Sequence, residues 1–508
     1  MNAIIEATIY GVFLMLLGLM WQERKIIWAI SIIPACLSGY FFITCATGTH
    51  EHEITARIFF ILTQLLIATT INRKYASIVT KVLFIALLVG NIYEIKIHNG
   101  MPELLFNNML RIEPSSLWFN LLMTGAAFIY IMLMNKDIQK VGNYVAEYFS
   151  LIFFILCGLY LLSSYNNLLM MFLGIEIISI PQYILAGSDK HNLKSSEASL
   201  KYFLMGAFST GILLMGIALL YGAAHTFNIM EMVGMLHSNT LDPLAITGII
   251  FIIIAFSFKV SAAPMHMWTP DVYDGAPTVF TAFMATVGKS AAFFAFIRLF
   301  HFSFYDLSEH WLLIIACITC ATLFIGNVTA VFQQSIKRML AYSSIAQAGF
   351  MLFALLAFRT MGMQSIIFYA TAYSIATIGM FAVLVKVKDY TYDGFNGLAK
   401  KEPLLAFVAT IFLFSLAGIP LTGGFMAKYF VLLGVMQHGD MLWLVIFALL
   451  MAAISVFYYF RVIMAMYFKQ GNPEMNSQVT LYDKVMLLVT CLVVLLLGIV
   501  PQFFMLPG

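Results

Sequence analysis

The sequence predicts an all-α polytopic membrane protein of about 14–16 transmembrane helices, arranged as two inverted repeats that each carry a discontinuous helix. Three observations lead there. Of 508 residues, 62% are hydrophobic and only 10% are charged, whereas a soluble domain averages roughly 25% charged. Apolar runs of about 18 residues or more recur from end to end, long enough to cross a bilayer. Two of these runs are too long for one crossing, and each is interrupted by proline with a lysine close by: Lys259 before Pro264, and Lys428 after Pro420.

Taken in order, the apolar runs give about sixteen crossings: 3–20, 26–46, 56–72, 76–95, 115–134, 146–164, 166–186, 200–224, 243–276, 277–300, 311–331, 338–358, 363–386, 404–437, 441–468 and 481–503. The first run contains a glutamate, lacks a basic leading segment and shows no small-residue cleavage site, so it reads as a retained helix. Basic loops such as "NKDIQK", "SDKHNLK" and "KVKDYTYDGFNGLAKKE" alternate with acidic or neutral ones such as "FYDLSEH" and "HGD". The positive-inside rule then puts the basic set in the cytoplasm and both termini outside. A continuous helix over 404–437 would extend about 50 Å against a hydrocarbon core of about 30 Å. Interrupted helices in comparable places suggest two repeats, at about 146–300 and 311–468, the pattern of secondary transporters.

A few ionisable residues sit where the membrane tolerates them least: Glu176, Lys259, Lys289 and Lys428. A charge at the bilayer centre costs roughly 2.5–3.5 kcal/mol or more, which marks such residues as functional. Snorkelling toward the headgroups accounts for Lys81, Arg298 and Arg461, nearer helix ends. The chemistry on offer is proton transfer. Desolvation disfavours a charged lysine and a nearby carboxylate favours it, so a lysine that gains and loses its glutamate takes up and releases a proton. Glu176 and Lys259 are candidates for such a switch, with Lys289 and Lys428 as later stations. His266, Lys201 and Tyr342 are possible relays, and Ser343, Ser344 and Gln347 add polarity to an otherwise apolar span.

Other functions are disfavoured. A net charge of +3, dispersed along the chain, suggests no nucleic-acid surface. The Cys317–Cys320 pair lies inside an apolar run and reads as packing residues, not a metal or redox site. No phosphate-binding glycine loop, dinucleotide fingerprint or haem attachment motif occurs, so any redox cofactor is expected on another chain.

From about residue 110 onward the chain resembles subunit N of the proton-translocating NADH–quinone oxidoreductase, respiratory complex I, one of its antiporter-like membrane subunits. The likeness rests on "MFLGIEIISIP", "EASLKYFLMGAFSTGILLMGIALLYG", "FKVSAAPMHMWTPDVYDGAP", "IKRMLAYSSIAQAGF" and "LAGIPLTGGFMAKYFVL". It implies a proton-translocating core at 111–503, preceded at 1–110 by transmembrane helices outside the clear match. It also implies that Glu176, Lys259, Lys289 and Lys428 line the proton path. NADH, FMN, iron–sulfur clusters and quinone are then expected on partner subunits, other membrane subunits dock end to end, and the location is the bacterial inner membrane. "WTPDVYDGAP" and the lysine at 428 resemble subunit N more than its sister subunits. A subunit of a multi-subunit cation/proton antiporter or a membrane-bound hydrogenase is the alternative. A non-transporting scaffold would leave the midplane charges without a reason.

Overall fold

The computed structural model describes residues 2–22, 76–97, 102–236, 242–357, 361–437 and 441–504, so the crossings expected at 26–46 and 56–72 lie outside the described residues. The described chain is a helical bundle with one small hairpin, β1 (Glu103–Leu105) against β2 (Leu110–Ile112). The helices of the N-terminal region are α1 (Asn2–Gln22), α2 (Ala76–Ile97), α3 (Pro114–Val141) and α4 (Val145–Ser164). Next come α5 (Leu168–Ala186), α6 (Leu193–Ala224), the short α7 (Ile229–Leu236), α8 (Pro243–Lys259), α9 (Trp268–Gly275), α10 (Thr278–Phe283) and α11 (Lys289–Phe302). The C-terminal half holds α12 (Ser308–Val331), α13 (Ile336–Leu356), α14 (Gly362–Lys386), the single turn α15 (Leu398–Lys401), α16 (Pro403–Ala417), α17 (Gly423–Met436), α18 (Leu442–Phe468) and α19 (Leu481–Ile499).

Eleven helical spans among the described residues are long and apolar enough to cross a membrane. The crossing begun by α1 and the two broken helices, α8–α9 and α16–α17, add three more. Local chemistry sets the helix starts. Asn167 and Asp242 cap α5 and α8 by accepting from Leu169 N and Leu244 N, both at 2.9 Å, which satisfies donors that have no intrahelical partner. Proline occupies the first turn of α3, α8 and α16, where its missing N–H costs nothing. Helix α6 begins earlier than the apolar run indicates, because "LKSSEASLK" is polar yet helix-compatible and is capped by Asn192.

Burial rises toward the middle of the molecule. The windows of α10–α11 and α14 that would cross the membrane are wholly buried, and α13 is nearly so, whereas α6, α18 and α19 keep apolar faces exposed. Arg298 does not snorkel, as its place near a helix end suggested. It is 0% exposed, donates to Tyr165 O and Arg111 O at 3.0 Å each, and pairs with Glu113 at 3.4 Å. Folding turned this end of α11 inward against β2 and α3, so burial and pairing replaced access to the headgroups.

Candidate functional site

Both long runs break as expected, and the freed backbone is satisfied inside the protein, the condition for irregular backbone at membrane depth. After α8, Ser261 is left-handed at φ 64°. Ser261 N and the Trp268 indole N–H both donate to Phe258 O, at 3.1 and 3.0 Å, and Ala262 N donates to Ser257 O at 2.7 Å. Thr322 on α12 accepts from Ala263 N at 2.9 Å. After α16, Gly418 is left-handed at φ 86°. There the terminal carbonyls are met by side chains: Lys428 Nζ donates to Leu416 O at 3.0 Å and Ala417 O at 2.8 Å, and Gln347 Nε2 donates to the same Leu416 O at 2.8 Å. A cation at a helix C-terminus also meets the negative end of the helix dipole.

The ionisable residues predicted from the sequence lie along one internal line. Glu176 on α5 is half-buried and accepts from Thr210 Oγ1 on α6 at 2.8 Å. Lys259, the last residue of α8, is half-buried and donates to Ser179 Oγ at 2.9 Å, three residues along α5 from Glu176. Glu176 and Lys259 are therefore not ion-paired in this conformation. Beyond Ser179 comes Gln182, whose Oε1 accepts from Tyr202 OH at 2.7 Å. A cavity of about 20 Å³, room for one water, is lined by Ser179, Gln182, Lys259, Gly288 and Lys289 among others, and so joins the first two lysines.

Lys289 is 3% exposed. It follows a π-helical turn over Met284–Gly288 that interrupts the helix between α10 and α11, a distortion found often at functional sites. It donates to Ser344 Oγ at 2.7 Å and Ser344 O at 3.0 Å on α13, and Tyr373 OH donates to the same hydroxyl at 2.9 Å. One residue back on α13, Ser343 Oγ shares a 2.6 Å hydrogen bond with Tyr459 OH on α18. Tyr459 OH also accepts from Gln347 Nε2 at 3.3 Å, and Gln347 meets Lys428 at the Leu416 carbonyl. Helix α13 thus carries a polar edge from Lys289 to Lys428, which is 7% exposed with its ammonium 4.7 Å from the centre of the Phe350 ring.

The three relay candidates fall elsewhere. Lys201 bonds Glu197 at 2.7 Å and Asp271 at 3.1 Å in a network that includes Arg338, and it remains well exposed. Tyr342 packs half-buried against the hydrophobic core and takes no part in the α13 bonds. His266 is buried in the first break with Nδ1 unpartnered. The sequence reading passed over Ser179, Gln182, Thr210 and Tyr459. Glu176, Ser179 and Gln182 recur at i, i+3 and i+6, a one-sided stripe on α5 that helical periodicity exposes. Thr210 and Tyr459 leave no such signal.

What the line can do follows from its partners. Lys259, Lys289 and Lys428 bond only neutral oxygens, so no carboxylate locks a proton onto them. Lys386, by contrast, lies between Asp137 at 2.7 Å and Asp483 at 3.8 Å and joins α3, α14 and α19 as a strut. Hydroxyls, an amide and a water-sized cavity, groups that can accept and donate hydrogen bonds, lie between these ammonium groups. Among the described residues, no group of three His, Cys, Asp or Glu side chains is placed to hold a metal, and Cys317 and Cys320 are free within α12.

Residues 165–457 match the family profile described as "NADH:quinone oxidoreductase/Mrp antiporter, TM". NADH-quinone oxidoreductase subunit N of Trichlorobacter lovleyi is 38% identical over 79% of this chain and 84% of its own length. A chain of respiratory complex I from Thermus thermophilus superimposes with a TM-score of 0.73 at 28% identity, covering 86% of this chain and 95% of that one. A chain of the Mrp complex from Dietzia sp. shares the fold with a TM-score of 0.76 at 19% identity, over 87% of this chain and 92% of its own.

Proposed function

The chain belongs to the membrane-subunit family of NADH:quinone oxidoreductases and Mrp antiporters, and on that premise we propose that its line of buried lysines is the path by which it moves protons. It is a multi-pass membrane subunit of a bacterial NADH–quinone oxidoreductase, translocating protons while partner subunits carry the redox cofactors. It sits beside other membrane subunits. The exposed apolar faces of α6, α18 and α19 offer the area for lateral docking.

The observation that supports the assignment is the succession of polar groups between the ionisable residues. Glu176, Ser179 and Lys259 lead to the cavity and Lys289; Ser344, which holds Lys289, is adjacent on α13 to Ser343, which bonds Tyr459 and through it Gln347, and Gln347 meets Lys428 at the Leu416 carbonyl. In this reading Glu176 approaches and leaves Lys259 during turnover, with Ser179 and Thr210 as their resting partners. The region 146–300 then forms one repeat and 311–468 the other, and the basic loop at 387–402 faces the cytoplasm with the C-terminus outside.

The test is transport by the intact complex in sealed vesicles. Glu176→Ala and Lys259→Ala each lower proton pumping by at least about tenfold, the scale on which a lost proton-transfer group acts, while assembly persists. Native pumping by either assembled variant removes that residue from the path.

A further inference from the structure

Lys337, like Lys259, Lys289 and Lys428, bonds neutral oxygens, yet it lies off their line. It stands in the first turn of α13, is 4% exposed, and donates to Asp274 O and Ala276 O, both at 2.7 Å. Its ammonium is 5.7 Å from the centre of the Tyr390 ring, and the Asp274 and Lys194 side chains act on it by charge at longer range. Ser344, which holds Lys289, is two turns further along α13, and neither bond of Lys337 reaches it.

What Lys337 holds is the end of α9 and its junction with α10. A cation there meets the negative end of the α9 dipole and supplies donors to carbonyls that lack them past the last turn. The next residue, Arg338, reaches Asp271 on α9 at 3.2 Å, and Lys201 reaches the same carboxylate from α6 at 3.1 Å. Those three side chains are 36–43% exposed, so their pairs hold weakly, and the buried Lys337 is the firmer contact from α13. With 8 residues, α9 is too short to be fixed by its own hydrogen bonds. Its place is set from outside. On its other flank a Cβ at Gly275 would come 2.6 Å from Lys194 O on α6, so α9 is wedged between α6 and α13.

The other end of α9 reaches the proposed path. Trp268 lies against Tyr202 with ring centroids 4.5 Å apart and planes 9° from parallel. Its indole N–H bonds Phe258 O, the carbonyl just before Lys259. Trp268 and Tyr273 of α9, with Tyr202 of α6, also line the cavity between Lys259 and Lys289. Across about 12 Å of helix, α9 thus connects a cation on α13 to the wall of that cavity.

We propose that Lys337 is a positioning residue for proton transfer between Lys259 and Lys289: by clamping α9 and the α9–α10 junction onto α13, it fixes the cavity wall and the end of α8. The inference rests on the lysine path proposed above, but Lys337 itself neither takes up nor hands on a proton.

The rate of proton pumping per assembled complex, measured with intact complex in sealed vesicles, tests it. Lys337→Arg keeps donors for both carbonyls yet stays protonated, so it should pump within about twofold of wild type. Lys337→Met removes the donors while keeping a long side chain. Its pumping should fall at least about tenfold, since a displacement of about 1 Å can cost on the order of 100-fold. A merely structural lysine would change yield and melting and leave the rate per complex alone. Loss of pumping in both variants overturns the proposal, because Lys337 then exchanges a proton itself; so does native pumping by assembled Lys337→Met. If Lys337→Met does not assemble, Trp268→Phe decides in its place, keeping a ring against Tyr202 and deleting the donor to Phe258 O. Lowered pumping there supports the role of α9, and native pumping overturns it. Lys289→Arg separates this inference from the path: pumping lost there beside native pumping in Lys337→Met strikes only the role of Lys337, whereas native pumping by Lys289→Arg removes the path on which it rests.

Discussion

At the scale of single residues, the lysines of the proposed path differ from two other cations, Arg298 and Lys386, in the partners they keep. Lys259, Lys289 and Lys428 face hydroxyls and carbonyls, whereas Arg298 and Lys386 face carboxylates. Arg298→Met leaves Glu113 with Arg111 alone and strips the Tyr165 and Arg111 carbonyls of their donor, at a cost of about 1–3 kcal/mol, read as a fall in assembled complex. Gln347→Leu keeps the packing volume but deletes the bonds to Leu416 O and Tyr459 OH. Vesicle assays of this variant should show pumping reduced by at least about tenfold, with complex yield nearly unchanged. The midplane charges were legible in the sequence because each interrupts an apolar run. Their uncharged neighbours were not: a serine or glutamine in a membrane helix reads equally well as a bond to an adjacent helix, and Thr210 and Tyr459 acquire their roles only through packing. Arg298 was misread for a related reason, since distance from a helix end says nothing about which way that end turns.

At the scale of elements, the breaks are built from local backbone chemistry and closed by distant side chains. Gly418 takes the left-handed conformation that ends α16, and a Cβ there would sit 3.0 Å from Lys428 Cδ and 3.2 Å from its Nζ. Gly418→Ala pays about 1–2 kcal/mol for the conformation and pushes Lys428 off the carbonyls it caps. Assembled Gly418→Ala complex should show slowed pumping together with a lowered melting temperature. If melting falls and pumping stays native, the cap serves stability alone. Both breaks were legible as proline within an overlong run, as were most helix boundaries. The π-turn before Lys289 was not, because nothing in "MATVG" distinguishes one extra residue per turn from an ordinary helix. The early start of α6 escaped because its residues are polar and apolar periodicity is silent about them, and the small hairpin before α3 because strands of three residues are too short to show a period.

At the scale of the whole molecule, the two broken helices flank a core formed by α10–α11, α13 and α14, whose membrane-crossing windows are among the most buried in the chain. The polar edge of α13 crosses that core between Lys289 and Lys428. Lys386, clamped between Asp137 and Asp483, ties α3 and α19 to α14 at one end of that frame. The central claim is that protons move by release and uptake at the lysines, and Lys289, between the cavity and α13, is the place to test it. Arginine can donate to Ser344 much as lysine does, yet its guanidinium stays protonated in proteins. The decisive measurement is proton uptake per NADH oxidised by purified complex carrying Lys289→Arg, reconstituted in sealed vesicles. The account predicts a fully assembled complex whose pumping is lost. Native pumping by that assembled variant would contradict it, leaving Lys289 as a structural cation and the line as a scaffold.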